Sequence, residues 1–169
     1  TNKNVMQDYR NTLKKNPNRS KLISQLDIAT LLDIYQGLLR NRLHDIALKR
    51  WVKLGVISKA WLGTGEEAVT IGSVHALDRQ MWKDGNRTDF VAPMIRNAGA
   101  CHEMGMSLVD MFRGYLATAD SPTMGRDLHI GSLSDGVMAP ISHVGDIVAV
   151  CGGVALNFKI RKEKRVVLT

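Results

Sequence analysis

Two residues of the chain combine a reactive side chain with a setting in which proteins commonly bind ligands. His129 lies in "GRDLHIG", where glycines let the backbone approach a ligand, and histidine is the residue type that exchanges protons near neutral pH. Arg96 follows the apolar run "DFVAPMI", and a guanidinium at the end of a strand in an α/β sheet can bind a phosphate or a carboxylate. The alternatives are a histidine with only structural hydrogen bonds and an arginine in a surface salt bridge.

The remaining polar candidates are interpreted as structural. Glu66 and Glu67 are adjacent and point in different directions on a helix, so Thr64 and Glu67 predict a capping box there instead of an acid–base pair. Three histidines lie in helical or packing patterns and are expected to be hydrogen-bonded or exposed: His44, His75 and His102. We find no Ser-His-Asp order, Walker loop or metal-spaced cluster, so no metal ligand is predicted.

The composition of the chain is typical of a folded domain. Its 169 residues are 44% hydrophobic and 23% charged, which is enough apolar material for one globular core. We expect a soluble, intracellular protein, because no stretch resembles a signal peptide or reaches the roughly 18 apolar residues that span a bilayer. Cys101 and Cys151 have neither metal-ligand nor disulfide-framework spacing and are predicted to be reduced packing residues.

The net charge of +7 and the isoelectric point near 9.6 raise the alternative of nucleic-acid binding. The basic residues concentrate at the two ends, however, without interleaved aromatic residues and without a zinc-finger signature. A basic arm or a partner-facing surface is therefore preferred, and we expect no nucleic acid and no membrane among the partners.

The elements that position these residues follow from the hydrophobic pattern. Residues 1–23 are polar and basic, contain the turn signal "NPNR" and are predicted to form a mobile arm, which leaves 24–169 as the domain. Apolar residues at three- and four-residue spacing then predict a long amphipathic helix that Gly55 closes. A second helix begins at "GTGEEAVTIG", and its small residues are expected to let another element pack closely: Ala68, Gly72 and Ala76.

The second half of the chain alternates between strands and helices. Asp84-Gly85 predicts a turn, "DFVAPMIR" a short buried strand, and Ser107 the start of a helix through "SLVDMFRGYLA". Residues 118–142 lack periodicity and form a long loop, which in a compact domain is usually functional or mobile. "HVGDIVAVCGGVALNFKIRK" predicts a helix and "RVVLT" a strand, so we expect a helix-rich α/β fold with an incomplete, mostly parallel sheet.

Five of these stretches, taken in order, resemble the alpha subunit of thiamine-diphosphate-dependent 2-oxo acid dehydrogenases, the first component of pyruvate, branched-chain 2-oxo acid and acetoin dehydrogenase complexes. The resemblance runs from about Leu31 to Thr169. It is carried by these segments: "LLRNRLHDIALKRWVKLGVI", "GTGEEAVTIG", "FVAPMIRNAGACHEMGMSLVDMFRGYLA", "GRDLHIG" and "HVGDIVAVCGGVALNFK". It implies the front half of a thiamine-diphosphate-binding fold.

The resemblance also implies roles for four residues. Arg96 matches the arginine that contacts the cofactor diphosphate, and His129 matches the loop histidine of the active-site channel. Ile141 and His143 match positions whose backbone groups hold the aminopyrimidine. The chain departs from the family pattern at four other positions. Ile95 stands where the family has tyrosine, and Ala98 stands where histidine or glutamine is common. Asp146 and Val148 stand where glutamine and proline are usual.

The activity implied is oxidative decarboxylation of a 2-oxo acid with transfer of the acyl group to a lipoyl arm. The implied partners are a beta subunit in an alpha-beta heterotetramer and a lipoyl-bearing acyltransferase core. The implied cofactors are thiamine diphosphate and magnesium, in the cytoplasm of a bacterium or, less preferred, in a mitochondrial matrix. An alternative of another class is a non-catalytic assembly module that retains the fold.

The family motif Gly-Asp-Gly, which supplies magnesium ligands, does not occur in the sequence. Because the motif follows a strand that matches "RVVLT", we expect the end at Thr169 to be a cut, made by truncation or proteolysis. We further expect that this fragment alone binds no cofactor and is inactive.

Overall fold

A computed structural model describes residues 7–8, 11–12 and 15–169 of the chain. The predicted arm at 1–23 therefore lies partly outside the described residues. The chain contains two compact units, residues 1–35 and residues 36–169. No described helix has both the length and the hydropathy that crossing a membrane requires.

The first unit contains a helix where the sequence predicted a turn. Helix α1 spans Pro17–Ser24, and the Asn16 side chain accepts hydrogen bonds from the backbone N–H groups of Asn18 and Arg19. Proline is favoured in the first turn of a helix because it has no N–H to satisfy there. The "NPNR" stretch is thus a helix start, and its interpretation as a turn is wrong. No residue of α1 is buried.

Helix α2 spans Ile28–Lys53 and confirms the long helix. The Asp27 carboxylate caps its start by accepting from Thr30 N–H at 2.6 Å, and this bond lowers the pKa of Asp27. Gly55 follows the end with φ of +71°, a left-handed conformation that favours glycine.

The face of α2 that is buried is not the face that the sequence predicted. In the second unit the apolar side chains of Leu39, Leu43 and Ile46 are exposed. The buried residues of the helix are mostly small or polar: Gly37, Asn41, His44, Asp45 and Leu48. Hydrophobic spacing predicted the helix correctly and its buried side wrongly, because four of its five buried residues are a glycine and three polar residues.

Helices α3 and α4 pack on each other. Helix α3 spans Glu67–His75, and α4, which the sequence did not predict, spans Ala98–Met104 with all seven residues buried. Ala68, Gly72 and Ala76 are exposed, and no described atom lies within 4 Å of a Cβ built on Gly72, so close packing of another element on this face stays a prediction. Helix α3 is buried instead through the opposite side, which carries Glu67, Thr70, Ile71 and Val74.

The sheet is small and parallel, as expected. Strand β1 spans Phe90–Val91 and strand β2 spans Val167–Leu168, with Phe90 opposite Val167 and Val91 opposite Leu168. Helix α5 spans Leu108–Tyr115 and helix α6 spans Asp146–Ile160. Because α6 connects the loop to a strand that runs parallel to β1, the architecture is α/β, and its helix-rich, incomplete sheet confirms the predicted fold class.

Two hydrophobic clusters hold these elements. The larger contains ten buried residues from α3, β1, α4, α5 and the loops before and after α5: Val74, Val91, Ala98, Ala100, Cys101, Met104, Met106, Met111, Ile130 and Val137. The smaller joins Ala92 to Ile147 and Cys151 of α6. Gly152 and Gly153 of α6 face open space among the described residues.

Candidate functional site

An open cavity of about 710 Å³ lies beside the irregular loop and the start of α6. Three of the four residues predicted to form the site line it together, namely His129, Ile141 and His143. The other lining residues are mainly apolar: Asp127, Gly131, Leu133, Val137, Met138, Ala139, Pro140, Ser142, Ile147 and Val150. The cavity thus has apolar walls with a few polar groups, which is usual for small-molecule sites.

Both ring nitrogens of His129 have a hydrogen-bond partner. Its Nδ1 lies 2.6 Å from Oδ1 of Asp127, and its Nε2 lies 2.5 Å from Oγ of Ser142. The His129 side chain is 24% exposed, so it remains accessible from the cavity. The hydrogen bond from His129 lowers the pKa of Asp127, which keeps that carboxyl group ionised.

These three residues form an acid–imidazole–hydroxyl chain, here called the cavity triad (Asp127, His129 and Ser142). The sequence predicted no combination of serine, histidine and aspartate, and this prediction is wrong. Ser142 is thirteen positions after the histidine and lies in a stretch without periodicity, so sequence spacing carries no signal for the contact.

The loop brings the triad together through its own backbone pairing. Ser132 and Val137 exchange two N–H to C=O hydrogen bonds of 2.8 Å, which places the segments on either side of them next to each other. Gly131 is required for this approach, because a Cβ at that position would lie 2.4 Å from the backbone nitrogen of Ala139. The segment that carries His129 therefore runs beside the segment that carries Ser142.

Ile141 and His143 line the cavity on either side of Ser142 in the sequence, before α6. Ile141 is half-buried and packs against the smaller hydrophobic cluster. The His143 ring is 85% exposed, with Nδ1 at 3.6 Å from Oδ2 of Asp146, the first residue of α6. That both residues line the cavity is a finding, whereas the roles of their backbone groups stay predictions.

Arg96 is not among the residues that line this cavity. Its guanidinium is exposed, and Nη1 lies 3.3 Å from Oε1 of Glu66. The next residue, Asn97, donates from Nδ2 to Oγ1 of Thr70 at 2.9 Å. The surface salt bridge considered as an alternative is therefore present in this structure, and pairs of this exposed kind contribute little to stability. Contact of Arg96 with a diphosphate stays a prediction.

The predicted capping box at α3 does not form. Thr64 donates its hydroxyl to Oδ2 of Asp45 at 2.9 Å instead of capping the helix. Glu67 accepts from Gly65 N–H at 2.8 Å and from Nε of Arg42 at 2.5 Å, and the bond from Arg42 lowers the pKa of Glu67. Glu67 is thus held at the helix start by Gly65 and Arg42, and not by the predicted contact with Thr64.

A second group of polar residues lies where α2 meets α4 and is called here the buried polar cluster (Asn41, His44, Asp45 and His102). The ring nitrogens of His44 and His102 are buried and have no hydrogen-bond partner among the described residues. The expectation that these histidines are hydrogen-bonded or exposed is therefore wrong. Burial lowers the pKa of His102 to about 3, so the ring is neutral, and it meets the His44 ring edge-on at a centroid distance of 4.8 Å.

The cysteines behave as predicted. Cys101 and Cys151 are free and buried. Burial raises the pKa of the Cys101 thiol to about 12, so this thiol is not a reactive nucleophile.

The lining of the cavity suits an aromatic ring better than a divalent ion. Met138, Ile147 and Val150 offer apolar surface, and the cavity triad offers hydrogen-bonding groups. Asp127 is the one carboxylate among the lining residues, whereas magnesium prefers about six oxygen ligands. The described residues around the cavity therefore fit the organic part of a cofactor and not a metal–diphosphate centre.

The fold and the cavity define a class of protein: a helix-rich α/β domain with a small-molecule site between an irregular loop and the start of a helix. A family model described as "Dehydrogenase E1 component" matches residues 37–169, and the chain belongs to this family. The matched range contains β1, β2 and every residue that lines the cavity.

A curated relative gives the same indication. The chain is 29% identical over 135 residues to the "2-oxoisovalerate dehydrogenase subunit alpha" of Bacillus subtilis (strain 168), an alignment that covers 78% of this chain and 39% of the relative. The chain thus spans well under half the length of this relative. The predicted resemblance to alpha subunits is confirmed.

Proposed function

We propose that the chain is the alpha-subunit part of a 2-oxo acid dehydrogenase first component. With a beta subunit, it decarboxylates a 2-oxo acid and transfers the acyl group to a lipoyl arm. The observation that carries the proposal is the cavity triad, because it presents an oriented imidazole to an apolar cavity within the part of the chain that matches the family. The name of the relative, a 2-oxoisovalerate dehydrogenase subunit, supports a 2-oxo acid as the substrate.

His129 is the group that handles protons in this proposal. The Asp127 carboxylate accepts the Nδ1 proton, so Nε2 is the nitrogen that can take a proton from, or return it to, a substrate oxygen in the cavity. The Ser142 hydroxyl keeps Nε2 occupied until the substrate arrives.

The cofactor proposed is thiamine diphosphate, whose thiazolium carbon supplies the nucleophile for the keto group. Met138, Ile147 and Val150 provide surface for its rings, and backbone groups of Ile141 and His143 hold the aminopyrimidine. The Arg96 guanidinium, which pairs with Glu66 in this structure, would bind the diphosphate. The magnesium ligands come from residues other than those that line the cavity.

The partners proposed are a beta subunit in a heterotetramer and a lipoyl-bearing acyltransferase core, with a cytoplasmic location. The exposed apolar side chains of α2 and α6 support a subunit interface, since a helix face of this kind is usually covered in an assembly. We further propose that residues 1–169 alone, without such partners, do not catalyse the reaction.

The test uses the protein expressed from its complete reading frame together with the beta subunit. Decarboxylation of pyruvate and of branched-chain 2-oxo acids is followed with an artificial electron acceptor. We expect His129→Ala to lower kcat about 100-fold or more with little change in cofactor affinity. We expect Arg96→Ala to weaken cofactor binding about tenfold with little change in kcat at saturating cofactor.

The matched control for Arg96 is Arg113→Ala, which removes another exposed arginine in surface ion pairs, here with Asp110 and Asp120. We expect its kinetics to equal those of the wild type. Unchanged kinetics in both His129→Ala and Arg96→Ala contradict the assignment of the site.

A non-catalytic assembly module is the second candidate, and the single carboxylate in the cavity lining favours it. This candidate predicts that calorimetry detects no binding of thiamine diphosphate, even with magnesium and the beta subunit present. Measurable cofactor binding contradicts it.

A further inference from the structure

We propose that Asp127 and Ser142 are positioning residues that hold the His129 imidazole in the tautomer with its proton on Nδ1. The link between this tautomer and turnover rests on the proposed function above, whereas the tautomer itself does not. Asp127 lies in the "GRDLHIG" segment that carries the resemblance, but the resemblance implied a role for neither Asp127 nor Ser142.

The distances assign the direction of each hydrogen bond. An ionised carboxylate can only accept, so the 2.6 Å contact with Asp127 requires a proton on Nδ1 of His129. In a neutral imidazole Nε2 is then an acceptor, and the 2.5 Å contact with Ser142 is donated by the serine hydroxyl. The tautomer with its proton on Nδ1 satisfies both contacts, whereas the other tautomer satisfies only the contact with Ser142, whose hydroxyl can also accept.

The carboxylate is itself held in place by the loop. The backbone N–H of His129 donates to the same Asp127 oxygen at 3.1 Å, so one oxygen receives both the main chain and the ring of the histidine. This local turn defines where the carboxylate points before any substrate arrives. The ring plane of His129 is thereby restricted from both ends.

A serine hydrogen-bonded to a histidine that contacts an aspartate is also the arrangement of nucleophilic hydrolases. We favour positioning over nucleophilic attack by Ser142, because the family to which the chain belongs is a dehydrogenase component. Covalent labelling decides between the two. Stoichiometric labelling of Ser142 by a fluorophosphonate would overturn the positioning role, and absence of labelling supports it.

The first test needs no catalytic activity. The protein from the complete reading frame is labelled with ¹⁵N-histidine, and the His129 nitrogens are assigned by loss of signal in His129→Gln. We expect the wild type at neutral pH to show a protonated Nδ1. Asp127→Asn places an amide beside Nδ1 that can donate to it, so we expect the proton to move to Nε2, and Asp127→Glu should restore the original tautomer. A tautomer that stays the same in Asp127→Asn would overturn the proposal.

The second test measures turnover in the complex with the beta subunit. We expect Asp127→Asn to lower kcat at least about tenfold with KM changed less than about twofold, because the wrong nitrogen carries the proton. Ser142→Ala should lower kcat by a smaller factor, and Ser142→Thr, which keeps the hydroxyl, should recover most of the loss. Equal kcat values in Asp127→Asn and the wild type would overturn the positioning role.

Two matched controls come from the same loop. Asp120→Asn removes another exposed carboxylate and Ser134→Ala another exposed hydroxyl, and neither residue lines the cavity. Both variants should keep the wild-type tautomer and kcat. If the wild-type complex decarboxylates no 2-oxo acid, the proposed function is overturned, while the ¹⁵N measurement still decides whether Asp127 fixes the tautomer.

Discussion

The buried polar cluster and the cavity triad place histidines in opposite surroundings. His44 and His102 are 2% and 4% exposed, and their ring nitrogens have no hydrogen-bond partner within the described part of the chain. His129 lies on an irregular loop at the edge of a cavity, and both of its nitrogens are hydrogen-bonded. Of these three histidines, His129 is the most exposed to solvent, and its orientation is the most strongly determined by polar partners.

This difference separates stability from function. In the buried polar cluster the imidazole rings act by shape, since His44 contacts the rings of His102, Phe112 and Tyr115. In the cavity triad the ring acts through its nitrogens. Changes in the first region should therefore alter the free energy of unfolding, and changes in the second should alter turnover.

The largest effect on stability is expected from His44→Ala. Removal of a buried ring packed among aromatic neighbours leaves a cavity, and we expect a loss of about 3 kcal/mol in the free energy of unfolding, measured by urea denaturation. His129→Ala is the comparison variant and should change the same quantity by less than about 0.5 kcal/mol. Equal losses in the two variants would remove the distinction between the regions.

The next effect is a dependence of stability on pH that arises from His102. Its pKa falls from the ordinary 6.5 to about 3 in the folded protein, chiefly because burial disfavours the charged ring. Between these values the unfolded chain binds the proton and the folded chain does not, so stability is fully present above pH 6.5 and falls as the pH drops. One titrating group changes the free energy of unfolding by at most about 1.4 kcal/mol per pH unit. At pH 5, about 1.5 units below 6.5, the expected loss is therefore about 2 kcal/mol.

The variant His102→Phe tests this assignment, since it keeps a ring and removes the titrating group. Urea denaturation from pH 5 to pH 7.5 should show a smaller slope than in the wild type. A slope identical to that of the wild type would assign the acid sensitivity to other groups.

A smaller loss is expected where α4 approaches the buried polar cluster. A Cβ on Gly99 would lie 2.5 Å from the side chain of Asn41, which is itself 1% exposed, so Gly99→Ala should cost roughly 1–2 kcal/mol. Gly72→Ala is the matched control, because that glycine lies in an exposed helix face with open space around it. The Gly72→Ala substitution should stabilise the protein by up to about 1 kcal/mol, as measured by thermal unfolding.

The smallest effects on folding are expected in the cavity triad. Asp127→Asn and Ser142→Ala remove partly exposed groups and should each change the free energy of unfolding by less than about 0.5 kcal/mol. A loss of 2 kcal/mol or more in either variant would mean that the triad supports the fold of the loop, and the loss of turnover would then need a structural explanation.

Much of the fold was predictable because its signals are local. The three- and four-residue spacing along 26 residues of α2 and the run "RVVLT" report secondary structure directly, and the structure confirms both elements. Helix α4 was missed because its seven residues, "AGACHEM", are buried on all sides and give no periodic contrast between faces. Helix α1 was missed because Asn and Pro signal a turn as readily as a helix start.

The candidate site was predictable in part. His129, Ile141 and His143 were all taken from one irregular region, and they line one cavity. Arg96, which was assigned to the same site, lies outside that lining. The two partners of His129 differ in how far sequence could predict them. Asp127 is only two residues away, whereas Ser142 is brought near only by the pairing of Ser132 with Val137.

By itself the sequence determined helices α2, α3, α5 and α6, that its last strand belongs to a parallel sheet, and which family it resembles. The tertiary structure decided which face of α2 is buried, which histidine rings have no hydrogen-bond partner among the described residues, and which hydroxyl meets His129. The physical reason is range. Backbone conformation depends on neighbours within a few residues, whereas burial and side-chain hydrogen bonds depend on groups that are distant in sequence and meet only after packing.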